Sequence, residues 1–114
     1  MKLSYEGIGQ WAATFACTKP EEGELVKISG NGTVAACSAG DAFCGMVLSV
    51  GRGGDACSVA LGGMVTAGYT GTAPTLGWSV LVADGSGGVK TAETGREYLV
   101  VDVDTAAETV TFAL

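Results

Sequence analysis

The 114-residue chain has no histidine. That absence removes the commonest general base, the serine triad and most catalytic zinc sites. Basic residues are scarce, 6 Lys and Arg against 12 Asp and Glu, for a net charge of −6. Such a surface argues against phosphate backbones and anionic membranes as partners. No apolar run approaches the roughly 20 residues of a membrane-spanning helix. The start, MKLSYEGIGQ, lacks the apolar core of a signal peptide, so synthesis and folding in the cytoplasm are expected. Cys17, Cys37, Cys44 and Cys57 form no CxxC pair. They read as small buried hydrophobes in a reducing compartment, with Cys37 and Cys44 the pair to examine for a disulfide. No P-loop lysine motif and no dinucleotide fingerprint before a helix occurs, and no stretch sustains helical periodicity. The expectation is a protein that is not an enzyme, with no catalytic, cofactor-binding or metal-binding residue to assign, and without nucleic-acid or membrane partners.

What is present is a folded composition, 47% hydrophobic and 16% charged. The 19 glycines fall between short apolar runs and mark tight turns, while proline occurs only twice. At this length one domain can bury roughly 65% of its unfolded surface, enough for a single core.

The stretch Thr72–Gly88, TAPTLGWSVLVADGSGG, echoes Thr18–Gly32, TKPEEGELVKISGNG. Pro20 and Pro74, Gly23 and Gly77, and Val26 and Val80 each stand 54 residues apart. Around this echo the period of two expected of strands recurs. Trp11, Ala13, Phe15 and Cys17 alternate with small residues, Glu24–Ser29 closes at Gly30-Asn31-Gly32, and Thr33–Cys37 runs back. A longer strand is expected over Ala42–Val50, then a GRGGD turn, then Ala56–Leu61 with Cys57, Val59 and Leu61 on one face. The order repeats as Met64–Tyr69, Trp78–Ala83, Val89–Ala92, Glu97–Asp104 and Val110–Leu114. On Glu97–Asp104, Leu99, Val101 and Val103 are expected to share one face, opposite Asp102 and Asp104. The reading is all-β: a compact β-sandwich or β-barrel built from two tandem copies of a roughly five-strand unit, about residues 11–61 and 65–114. Residues 1–10 read as an N-terminal arm ahead of a single β domain, 11–114, with an internal duplication.

Each candidate site has a plain structural counterpart. Asp102 and Asp104, on one strand face, could hold a calcium ion with a turn carbonyl, and the Asp84–Gly88 loop has calcium-loop composition, but a solvated strand face and a hairpin turn need the same residues. Arg52 and Asp55 are separated by two glycines and read as an exposed turn. Asn31-Gly32-Thr33 matches a glycosylation sequon, and the Asn-Gly pair is a turn signal in its own right. Trp11 and Trp78 sit at alternating apolar positions, which points to core or subunit contact, whereas exposed rings would suit sugar stacking.

The segments Gly23-Glu-Leu-Val-Lys-Ile28, Gly32-Thr-Val34, Gly40-Asp-Ala-Phe-Cys-Gly-Met-Val47, Ala56-Cys-Ser-Val-Ala-Leu-Gly-Gly-Met-Val65, Pro74-Thr-Leu-Gly77 and Asp84–Val89 form a pattern of glycine-bounded strands and turns. In this pattern the chain resembles the small β-rich proteins that decorate or cement the capsids of tailed bacteriophages. The likeness covers about residues 20–114. It implies a structural virion protein that binds the major capsid protein on the capsid exterior and stabilises the shell, as a monomer or a homotrimer. It transfers no individual functional residue. The alternative reading is a carbohydrate- or ligand-binding β module of a phage tail or bacterial surface protein.

Overall fold

The computed structural model describes residues 10–114, so the expected N-terminal arm lies, except for Gln10, outside the described residues. Ten strands follow in order: β1 (Ala12–Ala16), β2 (Leu25–Gly30), β3 (Thr33–Ala36), β4 (Gly45–Val50), β5 (Ala56–Ala60), β6 (Met64–Gly68), β7 (Gly77–Ala83), β8 (Val89–Thr91), β9 (Glu97–Asp104) and β10 (Thr109–Ala113). The fold is all-β, built from two tandem five-strand units.

In the first unit the strands close into a barrel in the order β1-β3-β2-β4-β5. Closure comes from two partners of β1. It pairs antiparallel with β5, Ala13 opposite Val59, and parallel with β3 where Ala16 meets Thr33. The second unit repeats the order as an open sheet, β6-β10-β9-β7-β8. Its edges touch at one parallel bridge, Tyr69 with Val89, in the place where the first unit closes.

The spacing of the copies can be read from the pairing itself. Val47 opposes Val59 and Val100 opposes Phe112, so both strands of this pair recur at 53 residues. The Cys17 N–H donates to the Asp55 carbonyl and the Tyr69 N–H to that of Glu108, which sets the first strands 52 apart. The offset of 54 that matches Ala13 with Ala67 is therefore two residues too long for this strand. A slip of two preserves the face, which is why the sequence pattern survives it. Gly23 with Gly77 and Gly40 with Gly95 all adopt positive φ, so these recurrent glycines serve the same corners.

A β-bulge also recurs. The β4–β5 register slips between Val47 and Ser49, and the β9–β10 register slips between Val100 and Asp102. The extra residues are Leu48 and Val101, again 53 apart, and each switches which side of its strand faces inward. This corrects the expected face of Leu99, Val101 and Val103. Tyr98 and Val100 are buried before the bulge, Val103 packs on the core after it, and Leu99 is turned outward. The expected long strand Ala42–Val50 begins only at Gly45, although Phe43 is buried.

Two clusters make the core. The barrel interior holds Val26, Val34, Val47, Cys57 and Val59. The larger cluster joins Leu25, Phe43, Met46 and Ala60 of the first unit to the interior of the second, which includes Tyr98, Val100, Val110 and Phe112. Phe43 stacks on Tyr98 at 4.9 Å between centroids and meets Phe112 edge-on at 5.9 Å. Successive residues on β2, β4 and β5 thus serve different cores: Val26, Val47 and Val59 fill the barrel, and Leu25, Met46 and Ala60 face the other unit.

Candidate functional site

The acidic turns are occupied by their own backbone. Asp84 Oδ1 accepts the N–H groups of Ser86 and Gly88, and Asp104 Oδ1 accepts those of Ala106 and Ala107. Both are carboxylates closing hairpin turns, as turn chemistry requires. Gly32 supplies φ 60° in the Asn31-Gly32 turn, and Gly54 supplies φ 77° in the loop of Arg52 and Asp55. Among the described residues no three or more Cys, Asp or Glu are grouped as metal ligands.

A groove of about 690 Å³ runs between the units, from the Lys19–Glu24 corner to the Asp84–Gly88 turn. Glu21, Glu22, Glu24 and Asp84 give it acidic walls, with Lys19 at one side. Glu24 already accepts the Glu21 N–H, so part of this charge is spent on local structure. Nearby, Lys27 Nζ donates to Asp41 Oδ2 at 2.6 Å, and the Ser38 N–H reaches the same oxygen at 2.8 Å. The hydrogen bond and charge of Lys27 hold the Asp41 carboxyl below its ordinary range, and Asp41 raises Lys27 in return.

All four cysteines are free thiols. Cys37 packs on the shared core and Cys44 on the barrel interior, so the pair singled out by sequence is divided between two clusters. Burial pushes the Cys57 thiol up to about 11, with the neighbouring Cys17 thiol adding to the shift. Burial likewise takes Cys37 to about 11. Protonated thiols of this kind are poor nucleophiles and behave as small apolar groups.

Of the two places that the sequence pattern allowed the tryptophans, core or subunit contact, the core is ruled out. Trp11 and Trp78 are exposed, 64% and 68%, so neither belongs to the core. Trp11 crosses over Gly62, where any Cβ would collide with the indole ring. Trp78 stands in a row that the registers define across four strands. Trp78 pairs with Leu99, Leu99 with Ala113, and Ala113 with Met64. All four side chains point away from the interior, because their neighbours Val65, Tyr98, Val100 and Phe112 fill it. Leu76, also exposed, precedes Trp78 by two residues. A periodic pattern reports which residues share a face but not whether that face is covered, so alternation alone could not separate this row from a core.

These features define a class, an acidic tandem β-protein whose distinctive surface is apolar and whose polar side chains largely serve turns. No protein-family model matches the chain, and no curated protein matches it.

Proposed function

We propose that this protein is a structural virion component that binds the outside of a phage capsid and stabilises it, with the major capsid protein as its partner. The observation that carries the reading is a set of large apolar side chains exposed at the surface, Ile28 on β2 and Trp78 on β7, with Trp11 and Leu76 each immediately preceding a strand. Apolar residues fixed on a rigid scaffold suit recognition of another protein surface at low entropic cost. The acidic balance keeps such a protein off packaged nucleic acid, and the resemblance of residues 20–114 to capsid decoration proteins points the same way. A cement acts by mass action, because anything bound only to the assembled lattice shifts its equilibrium toward assembly.

The test is cosedimentation with expanded capsids of the cognate phage. Stoichiometric binding and a higher disruption temperature of the decorated shell are expected. A protein that ignored these capsids while binding a soluble ligand tightly would refute the proposal. The exposed tryptophans also support the second reading, a carbohydrate-binding β module, since exposed rings stack on sugars. That reading predicts glycan-array signals abolished by Trp78→Ala.

A further inference from the structure

Asn31 is the only asparagine in the chain, and a glycine follows it. The pair forms the exposed turn between β2 and β3, with Gly32 at φ 60°. The matching pair 53 residues on is Asp84-Gly85, at the start of the turn between β7 and β8, with Gly85 at φ 86°. The two turns differ in what surrounds them. Asp84 Oδ1 accepts the N–H groups of Ser86 and Gly88, and a Cβ on Gly85 would meet the Ala39 nitrogen at 3.0 Å. In the first unit the Thr33 hydroxyl donates to the Asn31 main-chain carbonyl at 3.0 Å. Apart from chain neighbours, nothing lies within 4 Å of the place a Cβ on Gly32 would take. Gly32 also serves the seam of the barrel. Its carbonyl accepts the Ala16 N–H at 2.9 Å, beside the Ala16–Thr33 contact that joins β1 to β3.

We infer that Asn31 is a site of spontaneous covalent modification, assisted by Thr33, whose product loosens the β1–β3 seam of the barrel. The step is internal to the turn. The Gly32 nitrogen gives up its proton to solvent base and attacks Cγ of the Asn31 side chain. A new N–Cγ bond closes a five-membered imide while the Cγ–Nδ2 bond breaks, and ammonia leaves with a proton taken from water. Water then opens the ring at either carbonyl. Opening at Cγ gives an ordinary aspartate, the residue type that the second unit has at the matching position. Opening at the main-chain carbonyl gives isoaspartate, in which the chain runs through Cγ and gains one main-chain carbon. No oxidant and no second protein takes part. Glycine suits position 32 because no side chain crowds its nitrogen. Negative charge on that nitrogen is shared with the Asn31 carbonyl oxygen, where the Thr33 hydroxyl donates, so the turn stabilises the attacking form. The Asp84 carboxylate has no amine to expel and is held by two N–H groups, so the second unit lacks this reaction. Either product adds a negative charge, and the isoaspartate also displaces the Gly32 carbonyl from the Ala16 N–H.

The test is incubation of the folded full chain in mildly alkaline buffer, followed by intact mass, peptide mapping and an enzymatic assay for isoaspartate. The mass gain of an amide converted to an acid is expected, with isoaspartate at position 31 and none at position 84. Asn31→Gln is expected to stay unmodified. Thr33→Val should slow the reaction on the order of 3-fold, the rate equivalent of one exposed hydrogen bond. Thr33→Ser, which restores the hydroxyl, should recover the wild-type rate. Amide exchange then compares fresh with aged protein. Ala16 is expected to exchange faster after ageing, while Val110 and Phe112 of the second unit do not change and aged Asn31→Gln matches fresh protein. A folded wild type that stays unmodified while the urea-unfolded chain reacts at the same pH overturns the inference. So does a Thr33→Val variant that reacts at the wild-type rate, or modified protein in which Ala16 exchanges no faster. Capsids play no part in the assay. Its failure therefore leaves the virion reading standing, and failure of capsid binding leaves this one standing.

Discussion

The two units share strand order, bulge position and corner glycines, yet one closes and the other stays open. The difference lies in the size of what points inward. At positions 53 apart, Gly45 of β4 corresponds to Tyr98 of β9, and Val59 of β5 to Phe112 of β10; at 52, Cys17 corresponds to Tyr69. At these three positions the first unit has glycine, valine and cysteine where the second places aromatic rings, while Phe15, half-buried against the barrel core, stands where the second unit has Ala67. A five-strand barrel is narrower than the eight-strand barrels whose interiors just hold side chains, so small residues at these three central positions favour its closure. A Cβ on Gly45 would run into the Ala60 carbonyl and the Val59 side chain. With rings inside, the second sheet opens, and Leu25, Phe43, Met46 and Ala60 of the first unit fill the gap. Two units of the same strand order thus differ as a closed one and a receptive one.

The largest expected effect comes from emptying the receptive interior. Phe112 is fully buried and meets Tyr98 at 5.4 Å as well as Phe43. Phe112→Ala should cost about 3–5 kcal/mol, against about 2 kcal/mol for Val59→Ala at the corresponding place in the barrel. Urea denaturation with unchanged slope measures both. Equal costs would show that the two interiors tolerate cavities alike and would remove the contrast.

Next in size is Gly45→Ala. Adding one methyl to the closed barrel should cost about 2–3 kcal/mol by overpacking, because the obstructing atoms include backbone. If the variant keeps wild-type stability in a thermal melt, interior volume is not what separates the closed unit from the open one.

Much of this architecture was legible in the sequence, and for a definite reason. Turn glycines and alternating apolar residues are local signals, so the ten strands and the tandem order could be read from Gly23, Gly77, Gly40 and Gly95 and the runs between them. Leu48 and Val101 were not legible as bulges. A bulge depends on the partner strand, and nothing local to Glu97–Asp104 shows that Tyr98 and Val103 end up serving one core. The exposed row was hidden for a similar reason. Trp78 and Leu25 occupy corresponding strand positions, and only the packing of one unit on the other decides which is covered.

Alkaline pH sharpens the contrast from the barrel side. The Cys57 thiol is held at about 11 in the folded protein against an ordinary 9.0. A group raised on folding contributes stability that is intact below its unfolded value and declines as pH rises toward the folded one. Stability should therefore be level up to about pH 9.0 and fall toward about pH 11. Cys57→Ala should flatten part of that decline, and Cys37→Ala should remove a separate part that arises from the shared core. Unfolding midpoints across this window check both. A decline untouched by Cys57→Ala would mean that the barrel interior holds its thiol no more tightly than water does.

The smallest effect is expected where the segment after β3 crosses to the second unit. The Gly40 N–H donates to the Ala83 carbonyl and the Ala83 N–H to that of Asp41, so this segment extends the edge of β7. Lys27 on β2 anchors it through the Asp41 carboxylate, whose other link is the Ser38 N–H. Both side chains are about a third exposed, so solvent weakens the pair and the backbone bonds do most of the holding. Asp41 is lowered on folding, hence its contribution is present above the ordinary carboxyl value of 3.8 and is lost as pH falls below it. Lys27 is raised, so the alkaline loss of its share lies above 10.5. Asp41→Asn should thus lower the unfolding midpoint slightly at neutral pH and converge with the wild type in acid. Amide exchange at Gly40 and Ala83 locates the loss: faster exchange there, with the barrel amides unchanged, is expected. If exchange instead quickened throughout both units, the crossing segment would be holding the units together rather than resting on a contact the apolar core already secures.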